Sequence, residues 1–329
     1  MGPLLYIIYT NALPESVHNH FTENNSFFNT SCKKCGTICC YADDSTFSVS
    51  GKDPEKLSRQ ITEKYQNISA YMSQNKLVLN GDKTHLLVMA SSSRHRKHQN
   101  FGISLDTGSK EIEPISSEKL LGAKLSNNLT WNLHIRDDDH SMFKTLTCKI
   151  NALYKISLVT SFKTRKMVAS GLILSTLNYI FQVYGGCSGY LLKMLQILQN
   201  RAARIVTKLP WMTPTSVLLT QYGWLSVLQF IKYHSLVLMF KVKKDKKPHY
   251  LYKKIGATAG RSKRQEEERV ATHVLKDERG LEMATALKSY LPRTIMDWNN
   301  LTEHLRKMDN LKTFKPKLKL WIKENVPVK

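Results

Sequence analysis

The chain has 329 residues, 42% of them hydrophobic, and its 49 Lys and Arg outnumber 26 Asp and Glu, which gives a net charge of +23. That length allows two domains with cores of their own, and the charge favours a polyanionic partner, nucleic acid first and an anionic membrane second. Six cysteines are too few for a disulfide scaffold, so we expect reduced thiols in an intracellular protein of the nucleus or cytoplasm, not a secreted one.

The first residues predict a helix followed by an irregular segment. Gly2-Pro3 stands before a run of aliphatic residues, as at a helix that begins just after a proline. Residues 15–36, rich in Asn, Ser, His and Phe, are interpreted as an irregular insertion. Cys32 and Cys35, with two cysteines downstream, form half of a zinc-binding pattern, but nothing nearby completes the four ligands of structural zinc, so no zinc is expected.

Residues 37–50 predict a β-hairpin with two adjacent carboxylates, Asp43 and Asp44, at its turn. Both flanking runs are rich in β-branched and aromatic residues, and Gly51 ends the second. Adjacent carboxylates repel each other, whereas Mg²⁺ prefers oxygen ligands and commonly takes one or two carboxylates with substrate phosphates. The turn therefore suits a hard cation, and the alternative is an ordinary solvated Asp-Asp turn.

A helix follows, and after it a turn that carries a lysine. Asp53-Pro54 supplies an N-cap acid and a proline in the first turn. The next apolar residues recur at spacings of three and four and so share one face, which we expect to pack on the sheet: Leu57, Ile61, Tyr65, Ile68 and Met72. Residues 77–79 and 86–89 are predicted as strands on either side of an Asn-Gly turn, with Lys83 just beyond it.

Two more turns are predicted before the helical half of the chain. Residues 103–105 and 111–115 alternate around Gly108 and predict a further hairpin. Leu121 and Gly122 then lie in a turn where a missing side chain would let the backbone approach a ligand closely. An ordinary turn glycine is the alternative.

Beyond about residue 140 the pattern is helical. One stripe repeats at spacings of four and three: Leu191, Leu195, Leu198, Ala202 and Ile205. Arg201 and Arg204 lie off this stripe, beside Gln199 and Asn200. The basic face is either simply solvated or follows a phosphate backbone, a contact that carries no sequence information.

Residues 241–270 contain eleven Lys or Arg against four Asp or Glu, and Lys243 and Lys244 belong to this group. Tyr250 and Tyr252 lie among the lysines, a mixture that suits a single-stranded nucleic acid because charge follows the backbone and rings stack on bases. A flexible charged linker is the alternative.

The stretch 167–192 contains no charged residue. Polar side chains interrupt it and Gly185-Gly186 ends it, whereas a spanning helix wants about twenty predominantly apolar residues. We therefore expect a buried helix and no membrane partner.

Four segments in this order resemble the second half of the reverse transcriptase domain of non-LTR retrotransposons, of the kind called jockey-like. The segments are Gly2–Pro14, the Tyr-Ala-Asp-Asp sequence at 41–44, Asn75–Thr84 and Leu120–Ala123. The ordered series is far more specific than Tyr-Ala-Asp-Asp alone, and the resemblance covers nearly the whole chain.

The resemblance implies an α+β fold. Residues 1–125 would form a partial right-hand polymerase palm, an antiparallel sheet with helices, and residues 126–240 a helical thumb. A basic linker at 241–270 and a small helical region at 271–329 would follow.

The resemblance also implies the roles of single residues. Asp43 would bind the catalytic Mg²⁺ (or Mn²⁺) and Asp44 would assist or orient, while Tyr41 and Ala42 would shape the floor near the primer end. Lys83 would be a third catalytic residue, near the phosphates of the incoming nucleotide, where a lysine can protonate or steady the leaving group. An ordinary exposed lysine is the alternative. Leu121 and Gly122 would form the primer grip, and the substrates would be an RNA template, a DNA primer and, in the full-length enzyme, a dNTP.

In the resembled family a third carboxylate and the fingers would precede Gly2. We therefore expect an N-terminally truncated enzyme that is inactive as a polymerase on its own. The alternative is a non-catalytic basic nucleic-acid-binding protein, either a remnant or a domesticated one.

Overall fold

A computed structural model of the chain describes residues 9, 10, 13, 31, 32, 36–90, 102–108, 110–256 and 287–328. The fold is α+β, with about 61% helix and short antiparallel sheets. Contacts divide the chain into two compact units, residues 1–130 and residues 131–329. The predicted N-terminal helix lies almost wholly outside the described residues, and so does most of the predicted insertion.

The described part of unit 1 contains three small antiparallel sheets built from sequence neighbours. The strands are β1 (Ser31–Cys32), β2 (Gly36–Tyr41), β3 (Asp44–Ser48), β4 (Leu105–Asp106), β5 (Glu111–Ile112), β6 (Ser117–Leu120) and β7 (Ala123–Ser126). The first sheet has the order β1-β2-β3, and the others are the pairs β4-β5 and β6-β7. The hairpin predicted around Gly108 is confirmed, with Leu105 opposite Ile112.

Helix α1 (Pro54–Gln74) is the long element of unit 1, and its predicted start and face are confirmed. The side chain of Asp53 accepts a hydrogen bond from the Glu55 amide at 3.1 Å, which satisfies one of the free donors at the helix start. Tyr65, Ile68 and Met72 are buried. The face packs into two apolar clusters that also receive side chains from the β2–β3 hairpin.

The predicted strands at 77–79 and 86–89 are wrong. The chain between them forms a short 3₁₀ turn, Gly81–Lys83, and Leu86 makes only an isolated bridge to Pro114. The apolar alternation arises from core packing instead, because Leu77 and Leu79 contact the clusters while Val78 is 95% exposed. The Asn80 side chain accepts from the Asp82 amide at 3.1 Å and turns the chain before a ladder can form.

Unit 2 is helical throughout its described part. Its helices are α2 (Met142–Ser157), α3 (Phe162–Ala169), α4 (Ser175–Asn178), α5 (Phe181–Tyr184), α6 (Gly189–Thr207), α7 (Thr215–Tyr222), α8 (Val227–Asp245), α9 (His249–Gly256), α10 (Tyr290–Asn299), α11 (Glu303–Arg306) and α12 (Leu311–Asn325). Two π-helical turns, Leu133–Asp137 and Ser170–Leu174, lie before α2 and between α3 and α4.

Serine side chains at the N-caps explain where several of these helices begin. Ser141, Ser161, Ser188 and Ser226 each accept a hydrogen bond from an amide of the first turn. At α8 the Gln229 side chain also reaches back to the Ser226 amide at 3.1 Å, which completes a capping box. Short-range sequence therefore sets these helix starts.

Two apolar clusters form the core of unit 2. The first surrounds α6 and the second joins α8, α10 and α12. Gly186 lies against the backbone of the chain before α10, since an added Cβ would approach the Lys288 carbonyl oxygen to 1.9 Å. Arg293 donates to the Gln182 carbonyl at 3.2 Å beside this contact. This close approach explains why residue 186 is a glycine.

The uncharged stretch 167–192 is not the single buried helix that its composition predicts. It runs through the end of α3, a π-turn, α4, α5 and the start of α6, with Ile180 in the left-handed region at φ 48°. Among the described residues, no single helix has both the length and the apolar character to span a membrane. The bent pair of α7 and α8, at 49°, passes that test when taken together.

Candidate functional site

The β2–β3 hairpin carries the two acids at its tip, as the sequence predicts. Its register pairs Ile38 with Phe47 and Tyr41 with Asp44. Ala42 and Asp43 therefore form a two-residue turn, and Asp44 is the first residue of β3. Both carboxylates lie at the exposed end of the hairpin.

The base of the hairpin is anchored in the core while its tip is open to solvent. Ile38 is 2% exposed and lies with the partly buried Phe47 in the cluster that contains Ile68 of α1. Because side chains alternate along a strand, Tyr41 and Asp44 lie on the opposite face from Ile38. Tyr41 is 66% exposed. The alternation thus directs one face toward α1 and presents the other to solvent.

Ala42 holds an uncommon backbone conformation, with φ at 52°. A left-handed conformation costs a residue with a Cβ roughly 1–2 kcal/mol, and such residues cluster at functional sites where the surrounding structure enforces them. Glycine would adopt this turn without strain. The conformation of Ala42 fixes how the chain enters Asp43.

The donor chemistry of the tip fits a hard divalent cation. Asp43 and Asp44 offer carboxylate oxygens in a solvent-exposed position, and Mg²⁺ is commonly held by one or two carboxylates together with substrate phosphates and water. Within the described part of the chain, no group of three or more His, Cys, Asp or Glu residues is arranged to hold a metal ion. The two acids fit an ion that takes its other ligands from substrate and water.

Lys83 lies in the same unit but does not contact the hairpin acids. It ends the 3₁₀ turn, is exposed, and makes no ion pair with Asp43 or Asp44. The turn is fixed by Asn80, whose carbonyl accepts from the Thr84 hydroxyl at 3.0 Å. The structure thus places Lys83 on a rigid exposed turn, free to meet a phosphate.

Leu121 and Gly122 form the turn between β6 and β7. Their φ values of 46° and 82° are both left-handed, the pattern of a two-residue type I′ hairpin turn. Leu121 is 42% exposed. The turn presents its backbone at a hairpin tip, as a close contact with a strand of nucleic acid requires.

Residues 85–90 connect the parts of unit 1. The Ile115 amide donates to the Leu86 carbonyl at 2.8 Å, and the Ala90 amide donates to the Asn127 carbonyl at 3.0 Å. The His85 ring lies 2.9 Å from the Glu118 carboxylate at β6. The extended segment therefore ties the β6–β7 hairpin to the apolar clusters that anchor the acid-bearing hairpin.

The predicted basic face of α6 is only partly available. Arg201 is exposed. Arg204 instead donates to the Thr213 carbonyl at 3.3 Å, and its Nε is buried without a hydrogen-bond partner. Arg204 therefore anchors the loop between α6 and α7. This contact makes its side chain unavailable for binding a phosphate backbone.

The neighbouring amides of α6 are buried, not solvated. Gln196 donates to the side chains of Gln199 at 3.0 Å and Asn200 at 2.8 Å. Gln199 donates to the Leu225 carbonyl at 3.0 Å. These contacts join α6 to the chain before α8 and give Gln199 and Asn200 a structural role.

Residues 241–256, predicted as part of a basic linker, are largely helical. Lys243 and Lys244 lie in the last turn of α8. The Lys243 ammonium sits 4.8 Å from the centre of the buried Trp298 ring, while Lys244 is exposed. Tyr250 is half exposed, whereas Tyr252 packs on the second core of unit 2. Residues 257–270 lie outside the described residues.

One charge pattern in the sequence belongs to none of the motifs described above. Residues 140–244 include 14 Lys and Arg and no Asp or Glu. Nearly all of unit 2 up to the end of α8 thus carries one sign of charge, which creates a positive potential that attracts polyanions. A running count of acids along the chain would have found it.

The comparisons with known proteins return no match: no family model, no curated protein and no solved structure matches this chain. Function must therefore be inferred from the geometry of unit 1 and the charge of unit 2.

Proposed function

We propose that the chain acts in RNA-directed DNA polymerisation of the non-LTR retrotransposon kind, with Asp43 and Asp44 as its metal-binding carboxylates. The observation that carries the proposal is the tip of the β2–β3 hairpin. There a left-handed Ala42 closes a two-residue turn and both acids remain exposed above an anchored base. Two adjacent acids at a strained turn suit ligand binding better than they suit stability.

In this proposal unit 1 is part of a polymerase palm and unit 2 is a thumb with a helical extension. Short antiparallel hairpins packed on α1 support the first assignment, and a helical body with a long acid-free interval supports the second. The palm supplies the metal-binding carboxylates. The helical body binds the phosphates of template and primer.

The residues of this chain contribute positioning and charge. Asp43 and Asp44 hold the divalent cation, Mg²⁺ or Mn²⁺, which when bound neutralises phosphate charge and orients the attacking oxygen. Lys83, on its exposed turn, meets the phosphates of the incoming nucleotide as a compact positive charge. The backbone at Leu121 and Gly122 supports the primer strand, and Tyr41 with Ala42 forms the floor beneath its end.

A second candidate is a basic nucleic-acid-binding protein without catalysis. The acid-free interval 140–244 favours it, because binding a phosphate backbone needs only this charge. The two candidates share their ligand and differ in whether the hairpin acids do chemistry.

Primer extension on an RNA template with Mg²⁺ and dNTPs separates them. If the chain extends the primer, Asp43→Asn should lower incorporation by about 100-fold or more, the scale of losing one group that stabilises transition-state charge. Asp245→Asn, an exposed acid at the end of α8, is the matched control and should leave the rate unchanged. Extension would contradict the expectation that the chain is inactive on its own. Binding of RNA without extension, together with an affinity for Mn²⁺ that Asp43→Asn leaves unchanged, would contradict the polymerase proposal and support the second candidate.

A further inference from the structure

Helix α12 exposes a row of lysines along one face. Spacings of three, four and four place them on the same side of the helix, over about 16 Å: Lys312, Lys315, Lys319 and Lys323. We call this row the lysine ridge. Lys319 is half-buried and the other three are exposed.

The ridge stands on a rigid support. Phe314, Leu318 and Ile322 on the adjoining face of α12 are fully buried in the second core of unit 2. The Phe314 ring stacks on Phe240 of α8, with ring centres 4.4 Å apart. Packing at this depth holds the ridge lysines in a fixed row on the surface.

The end of α8 extends the ridge. Helices α8 and α12 run antiparallel, because Phe240 near the end of α8 meets Phe314 near the start of α12. At the other end, Gln229 donates to the Val326 carbonyl at 2.8 Å. The last turn of α8, with exposed Lys241 and Lys244, therefore lies beside the Lys312 end of the ridge.

This alignment is unfavourable for the helix by itself. Lys315, Lys319 and Lys323 are separated by four residues each, and like charges at that spacing repel. Glu324 lies about a third of a turn away from the ridge, and Asp309 precedes the helix. Repulsion between these lysines lowers the stability of the helix. A row of anions bound along the ridge would offset that repulsion.

We propose that the lysine ridge, with Lys241 and Lys244, binds the phosphodiester backbone of a nucleic acid. The choice of nucleic acid as the ligand rests on the proposed function. A membrane surface fits less well, since a helix that lies in a bilayer interface must have a free apolar face. Here Phe314, Leu318 and Ile322 are already used in the core.

The salt dependence of nucleic-acid binding by the full chain tests this proposal. The variant Lys312→Gln, Lys315→Gln, Lys319→Gln, Lys323→Gln is titrated with a labelled RNA strand, a DNA strand and a DNA duplex at several salt concentrations. Each lost phosphate contact lowers the slope of log affinity against log salt by about 0.7 on a single strand and about 0.9 on a duplex. We expect the slope to fall by about 3 and the affinity at 0.1 M salt by about 1,000-fold.

The control removes the same charge from scattered positions. Lys56, Lys76, Lys110 and Lys119 are exposed residues of unit 1 outside the acid-free interval 140–244, and their replacement by Gln should change the slope by less than about 1 because they form no row. A ridge variant with four arginines keeps the charge and should bind as the parent does. Far-UV circular dichroism verifies that the ridge variants fold, which the loss of repulsion favours.

Three results would contradict the proposal that the lysine ridge binds nucleic acid. The ridge variant and the scattered control could lose binding equally, which would mean diffuse attraction. The ridge variant could bind every nucleic acid as the parent does. It could also lose affinity only for vesicles of anionic lipid, which would make the surface a membrane site. The ridge variant is read by its salt slope and Asp43→Asn by primer extension, so a failure of the polymerase proposal is separable from a failure of the ridge.

Discussion

Among the described residues, the buried apolar clusters of the two units differ greatly in size. In unit 1 these clusters have four and five buried residues, and the acids lie on a hairpin anchored by Ile38. In unit 2 the described clusters hold 22 and 14 buried residues. The described part of the chain therefore places the candidate chemical site beside small buried clusters and the candidate phosphate-binding surfaces beside large ones.

The difference has a physical basis in what each surface must do. A phosphate-binding ridge works only when its cations hold their spacing, and a deep core fixes that spacing. A turn that holds a cation and substrate needs open access and a few fixed backbone angles. Ala42 supplies such an angle through its left-handed conformation rather than through burial.

A matched pair of core substitutions gives the largest expected effect and tests the comparison directly. Leu195 in unit 2 and Ile38 in unit 1 are both almost completely buried. Truncation of such residues to alanine costs about 2–5 kcal/mol, depending on how far the site collapses around the cavity. We expect Leu195→Ala near the upper end of this range and Ile38→Ala near the lower end.

Urea unfolding measures both values, provided that each unit has its own probe. All five tryptophans lie at or beyond residue 131, so tryptophan fluorescence reports on unit 2. Hydrogen exchange of the β2–β3 amides reports on unit 1. Equal losses from the two substitutions would contradict the contrast in packing.

Gly186→Ala should have the next largest effect. Its Cβ would come within 1.9 Å of the Lys288 carbonyl oxygen, and backbone cannot move aside as a flexible side chain can. We expect a loss of about 1–3 kcal/mol in unfolding free energy, as in an overpacked core. The control is Gly189→Ala, in the first turn of α6, where a Cβ meets nothing within 4 Å. A neutral Gly186→Ala would show that the backbone at Lys288 can move aside.

Ala42→Gly should have the smallest effect on stability and the opposite sign. Glycine adopts φ near 52° without the strain of a Cβ, but it also adds freedom to the unfolded chain. The net gain is therefore at most about 1 kcal/mol. Hydrogen exchange at Tyr41 and Asp44 measures it, with Gly122→Ala in the left-handed turn of β6–β7 as the reciprocal control that should destabilise. A clear loss from Ala42→Gly would mean that the alanine side chain stabilises the hairpin.

The sequence by itself determined the elements whose signals are local. The start of α1 at Asp53, its apolar face and the stripe of α6 follow from caps and spacings within a few turns of helix. The hairpin with Asp43 and Asp44 at its tip follows from alternation on either side of a short turn. These features depend on interactions between residues that are close together in the chain, so the sequence alone predicts them.

Only the tertiary structure decided which polar groups are available and which apolar runs form strands. Arg204 and Gln199 look solvated in the sequence, yet each hydrogen-bonds a carbonyl beyond α6. Residues 77–79 alternate like a strand, yet Leu77 and Leu79 pack on α1 without a partner ladder. The physical reason is the same in each case: the partner belongs to another element of the fold, and burial against it outweighs the local preference.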